Sequence, residues 1–313
     1  MAASGGHWVK IAQADIGTLQ FVPKGKTVAS MLAGVQPKPA AFPDNLKNLQ
    51  VIKGLGGSTG AKLVQDSGGN LYVQKKGKDA GHLLEESAAD KAYQALGLNV
   101  PEHKILDTPL GPVKLARFTE GQTLDHAMHV DQVAAKKATE YLASGFAADA
   151  MLGNWDVVGL GFDNVLIGTD GKTYRIDNGG ALRRRAQGAL KKNWDQYPDE
   201  LFSMRNSSTN HQTASIFGGL KLSDIAKQAA KFGSKEKSLL SALPSALHGV
   251  VSGRAARMRQ FSRIYNALSK KGHSDKAIEG YVKKLWAGLR TGKIKFDPQS
   301  AAQIVQSFGE VGG

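Results

Sequence analysis

The sequence contains no cysteine, so disulfides, thiol nucleophiles and thiolate metal sites are excluded. No apolar run approaches the roughly 18 residues that a membrane-spanning helix needs. The first residues, MAASGGHWVK, lack a charged stretch followed by an apolar one, so no secretory signal is expected. The phosphate-loop pattern G-x-x-x-x-G-K-[ST] is absent, and so is any internal repeat. His82, His103, His126, His129 and His211 do not fall at metal-ligand spacing. Acidic charge is short, with 27 Asp and Glu against 41 Lys and Arg.

The resulting net charge of +14 points to an anionic partner: an acidic protein, a phosphoinositide or other phospholipid, a nucleotide or nucleic acid. The basic residues are densest in RRRAQGALKK, GRAARMRQFSR and YVKKLWAGLRTGKIK, all after Leu182. An apolar fraction of 41% supports a core. The missing signal and cysteines fit a cytoplasmic protein. They also fit an effector, or a phage-encoded protein, acting in a host cytoplasm.

Three regions are legible. Residues 1–48 read as an N-terminal extension with a Pro-rich linker, VQPKPAAFPDN. Residues 49–119 read as a small β-rich lobe. LQVIK leads into the glycine loop GLGGSTG, and AKLVQ and LYVQKK flank the turn DSGGN. HLLEESAADKAYQALG reads as a helix, with VPEHKIL and GPVKLARF as further strands. Residues 120–313 read as a larger helical lobe, interrupted by two short strands, NVLIG and TYRID, around TDGK. The fold class expected is α+β and bilobal.

Glycine loops approach phosphates because they lack Cβ and offer main-chain N–H groups. Gly56, Gly57, Ser58, Thr59 and Gly60 are the candidates here, in a strand–loop–strand setting that suits a nucleotide. Val73 and Lys75 share a strand face by their spacing of two. That places an apolar residue under a base and an ammonium two positions later, at its phosphates. Glu85 is followed at helical spacing by Ala88, Ala89, Ala92 and Leu96, so it is expected on the packed face as the partner of Lys75. Asp156 follows a long helix, in a loop where a general base would be presented. Asn164 and Asp177 begin and end the two short strands, and their oxygens suit Mg²⁺.

These residues carry a resemblance. Gly153-Asn154-Trp155-Asp156 and Ile176-Asp177-Asn178-Gly179 are similar to the G/N-x-D-R-H-x-x-N and I-D-x-G motifs of atypical members of the protein-kinase-like superfamily: the phosphatidylinositol 3/4-kinase, actin-fragmin kinase and HipA group. The resemblance covers about residues 50 to 185. It implies a bilobal protein-kinase-like fold, ATP and Mg²⁺. It also implies Asp156 as catalytic base, Asn164 and Asp177 as metal ligands, and Lys75 with Glu85 at the phosphates. The chain departs from the pattern in three places. Val157 and Val158 stand for the Arg-His, Asn164 comes three residues late, and Asn178 stands where many kinases have Phe. The late Asn164 requires a bulge and leaves Asp163 as another ligand. The activity expected is a phosphotransferase acting on a protein hydroxyl. A small-molecule or phosphoinositide kinase is the alternative, as is a non-catalytic module using Arg183, Arg184, Arg185 and the basic C-terminal helices.

Overall fold

The computed structural model describes residues 6–11, 18–23, 41–56 and 60–312. The chain is α+β, as the sequence indicates, and forms two compact units. One comprises Met1–Tyr141 with Asp156–Lys191, the other Leu142–Trp155 with Lys192–Gly313.

The first unit holds the strands. A hairpin of β1 (Gly6–Ile11) and β2 (Thr18–Pro23) precedes an antiparallel sheet of β3 (Gln50–Gly56), β4 (Ala61–Gln65), β5 (Leu71–Lys75), β6 (His103–Thr108) and β7 (Gly111–Arg117), in the order β3-β4-β5-β7-β6. The DSGGN turn closes on the Asp66 carboxylate, which accepts from the Gly68 and Asn70 amides at 2.9 and 2.8 Å. Val64, Tyr72, Leu106 and Leu115 form a buried cluster on one side of the sheet. Phe42, Leu46 and Leu49 pack against it, so the end of the expected N-terminal extension belongs to this core.

Helix α1 (Ala80–Leu96) follows β5. Asp79 caps it by accepting from the His82 amide at 2.7 Å, and Gly97 ends it in the left-handed region at φ 80°. A second sheet has the order β10-β9-β8, from β8 (Gly121–Thr123), β9 (Val165–Gly168) and β10 (Thr173–Arg175). The TDGK turn joins β9 to β10. Helix α2 (Leu124–Val130) and α3 (Gln132–Leu152) lie between β8 and β9 in sequence, and the division between the units falls within α3.

The second unit is helical: α4 (Glu200–Ser203), α5 (His211–Phe217), α6 (Leu222–Gly233), α7 (Glu236–Ala242), α8 (His248–Ser269), α9 (Asp275–Thr291) and α10 (Ala301–Gly312). Trp286 is fully buried and donates to Gln260, and buried Tyr281 bonds Ser307. Both aromatics are core residues rather than stacking platforms. No described helix is long and apolar enough to cross a membrane.

Candidate functional site

Strand register sets the first problem. β5 pairs with β7 so that Lys75 stands directly opposite Lys114. Both side chains point away from the Tyr72 cluster by strand alternation, and both lysines are buried, 8% and 6% exposed. Like charges opposed across strands repel, and burying them adds a desolvation cost. The sheet alone would not tolerate this pair.

Helix α1 supplies the answer. Glu86 stands between the lysines, with Oε2 at 2.7 Å from Lys75 Nζ and Oε1 at 2.8 Å from Lys114 Nζ. Asp90, one turn on, also pairs with Lys114. Its other oxygen accepts from Asn178 Nδ2 at 2.8 Å. His103 Nδ1 lies 3.6 Å from Asp90. Burial opposes the charge on Lys75, but Glu86 and Asp177 outweigh it and raise the lysine's pKa. Burial likewise opposes the charge on Lys114, and Asp90 and Glu86 outweigh it. Glu86 is held well below the usual carboxylate range against its own burial by Lys114 and Lys75. Burial lowers His103, which favours its neutral form.

The expected partner of Lys75, Glu85, is therefore corrected to Glu86. Both acids are buried, because α1 is covered on two sides, by the sheet and by the loop after β10. Glu86 meets the sheet. Glu85 faces the loop, where it accepts from the Arg183 main-chain N–H at 2.6 Å and from its Nη2 at 3.0 Å.

Asp177 follows β10 and reaches Lys75, Oδ1 to Nζ, at 2.6 Å. Its backbone is left-handed, φ 51° and ψ 55°, a region Asp enters more readily than most residues. The turn Asn178–Gly180 then runs close under α1. A Cβ on Gly179 would stand 2.7 Å from His82 Nε2, so a larger residue here would displace the His82 ring. His82 Nε2 lies 3.2 Å from the Gly179 carbonyl.

Asp156 and Asn164 meet across the expected bulge. Asn164 Nδ2 donates to the Asp156 carbonyl at 2.7 Å and to its Oδ2 at 3.2 Å. Val157 and Val158 are buried, Leu160 is exposed, and Phe162 turns the chain back at φ 55°. It is Asn164, and not the exposed Asp163, that reaches Asp156. Burial, with Asp177 and then Asp163 adding repulsion, pushes the Asp156 carboxyl from its ordinary 3.8 up to about 6.

The residues with oxygens for a hard divalent cation are Asn164 and Asp177. Asn164 spends its amide nitrogen on Asp156. Asp177 spends Oδ1 on Lys75, and its side chain is 56% exposed. Two ammonium groups, Lys75 and Lys114, stand against three carboxylates, Glu86, Asp90 and Asp177, leaving one negative charge before Asp156 is counted. Among the described residues no group of three or more His, Cys, Asp or Glu could hold a metal. A cation here would take further oxygens from water or phosphate, as Mg²⁺ does.

Val73 is half-buried on the Lys75 face, between Leu63 and Ala116 in the neighbouring strands. Gly56 ends β3, and Gly60 has φ 61°. Gly57, Ser58 and Thr59 lie outside the described residues. Of the arginine run, Arg183 is engaged by Glu85, and Arg184 by Asp79 and the Gly188 carbonyl, while Arg185 is exposed. Glu86, Lys114, Asp90 and the Asn178 amide are the members that sequence reasoning missed. The signal for them was an i,i+4 pair of acids facing two strand lysines.

No protein-family model matches the chain, and no curated protein does. Among solved structures, the chain is similar to the crystal structure of a Helicobacter pylori proinflammatory kinase, CtkA. The two are 15% identical, the match covers 67% of this chain and 96% of that one, and the TM-score is 0.37. A likeness of that size does not by itself fix an activity.

Proposed function

We propose that this chain is an ATP- and Mg²⁺-dependent phosphotransferase whose acceptor is a protein hydroxyl. The observation that carries the reading is Lys75, buried, bridging Glu86 and Asp177. A raised carboxyl, that of Asp156, stands close enough to be repelled by Asp177.

In this reading Lys75 directs its ammonium at the α/β-phosphate oxygens of ATP, and Glu86 keeps it charged and aimed. Asp177 and Asn164 would hold Mg²⁺, which would supply positive charge against that developing during transfer. Asp156 takes the proton of the attacking hydroxyl. The new bond joins that oxygen to the γ-phosphorus, and the bond from the γ-phosphorus to the β,γ-bridging oxygen breaks, so ADP leaves with its electron pair. A carboxyl poised near pH 6 is ionised at neutral pH and still basic enough to accept a proton. Asn164 orients it by donating to Oδ2.

The test is incubation of the purified chain with γ-labelled ATP and Mg²⁺, with and without a cell extract, beside Asp156→Asn and Asp177→Asn. Label on protein, lost in both variants, supports the reading. Label on lipid or small molecules alone moves the acceptor class to the small-molecule or phosphoinositide alternative. No transfer, and no stabilisation of the fold by ATP, would sink it.

A further inference from the structure

We infer that Lys114, Asp90 and Asn178 are positioning residues that lock the Asp177 loop in its working orientation before any ligand binds. The inference rests on the phosphotransferase reading for its meaning, and on geometry for its existence.

Three observations carry it. The Asn178 side chain is buried and donates to Asp90, while the Asp177 side chain beside it is 56% exposed. The loop is thus anchored by the residue that follows Asp177, whose side chain stays open to solvent beyond its bond to Lys75. Asp90 in turn is fixed by Lys114, which also holds Glu86. When Lys75 turns toward phosphates, Glu86 therefore keeps a buried counter-ion and α1 has no electrostatic reason to move. The loop also has further ties to the same helix, through His82 to Gly179 and Glu85 to Arg183. A loop held at residues 178, 179 and 183 by one helix has little freedom to swing. The site therefore needs no phosphorylation or partner to assemble it.

Lys114 cannot be the first residue tested, since removing it strands two buried carboxylates and endangers the fold. Asn178→Ala is neutral and is the main variant. The pair is then restored with reversed polarity in Asp90→Asn/Asn178→Asp. Hydrogen exchange of residues 176–184 in the full chain without nucleotide is the first readout. Steady-state ATP turnover with Mg²⁺ is the second. Asn178→Ala is expected to speed exchange of this segment by about 10-fold or more while β5 and β7 keep their protection. It should lower kcat by about 10-fold with KM for ATP changed less than about 2-fold, and the double variant should recover part of both losses. Unchanged exchange in Asn178→Ala overturns the lock whatever the turnover. So does a kcat loss that the reversed pair does not relieve. If the wild-type chain turns over no ATP, the phosphotransferase reading fails, and the exchange comparison still decides whether the lock exists.

Discussion

In the helical unit, buried Arg254 donates to the Ala150, Met151 and Asp195 carbonyls at 2.8–2.9 Å and closes on Glu200. Around it Arg257 meets Asp297, Arg259 meets Glu236 and the Gly233 carbonyl, and Arg290 meets Asp195 and Asp199. In the β-rich unit, buried Lys75 shares a carboxylate with Lys114 and reaches a second that is half open to solvent. The two units use buried cations differently. At Arg254, where main-chain carbonyls and a largely enclosed acid fill the donors, the cation is part of the scaffold. At Lys75, where one partner still faces outward, the ion pair is enclosed on one side only. Arg254 is of the first kind, whereas Lys270, Lys271, Lys276, Lys283 and Lys284 of the same helical unit are exposed.

The comparison is broken most forcefully at the outward-facing groups. Asp156→Asn and Asp177→Asn should each cut phosphoryl transfer about 1000-fold or more while the circular dichroism spectrum stays that of the wild type. A variant that kept a tenth of the activity would remove its residue from the chemistry. Next in size is the scaffold side. Arg254→Met should cost about 3–5 kcal/mol in urea denaturation, because it leaves Glu200 and several carbonyls without their donor. Lys75→Met should cost about 2 kcal/mol or less, since Glu86 keeps Lys114 and Asp177 can turn to water. Equal losses would erase the distinction drawn here.

A smaller effect concerns pH. The folded pKa of Asp156 lies above its unfolded value, about 6 against 3.8, so the folded state holds this proton more tightly. Its contribution to stability is whole below pH 3.8 and is lost as pH rises through about 6. In EDTA at pH 8, Asp156→Asn should therefore be more stable than the wild type by about 1–2 kcal/mol, after discounting for solvent screening, and the gain should vanish near pH 4. A gain that grew toward acid would reverse the sign and refute the assignment. Smallest of all, Lys283→Ala removes an exposed i,i+4 partner of Glu279 and should change stability by no more than about 0.5 kcal/mol. Thermal melts at low and high salt would measure it.

Local patterns carried much of this to the reader of the sequence. The turns DSGGN and TDGK, the glycine stop at Gly97, and the alternation of Val73 with Lys75 are short-range features, and they placed β4, β5, α1 and the β9–β10 hairpin closely. Asp156, Asn164 and Asp177 stood out as acids and amides among apolar strands. What failed was long-range. Helical spacing cannot choose between Glu85 and Glu86 when α1 is buried on both flanks. Nothing local says that β5 pairs with β7, bringing Lys114 beside Lys75 and both within reach of Glu86. Arg183 and Arg184 looked like a free basic run until the fold set them against Glu85 and Asp79.

The opposed lysines have a consequence for how the chain folds. β5 and β7 cannot zip together dry while two ammonium groups face each other unshielded, and Glu86 comes from a helix that docks on that sheet. Strand pairing and helix docking are thereby made conditional on one another, a single cooperative step with no comfortable half-way state. The binding surface should then open as one block with its sheet, so that a chain able to fold at all folds with its site complete.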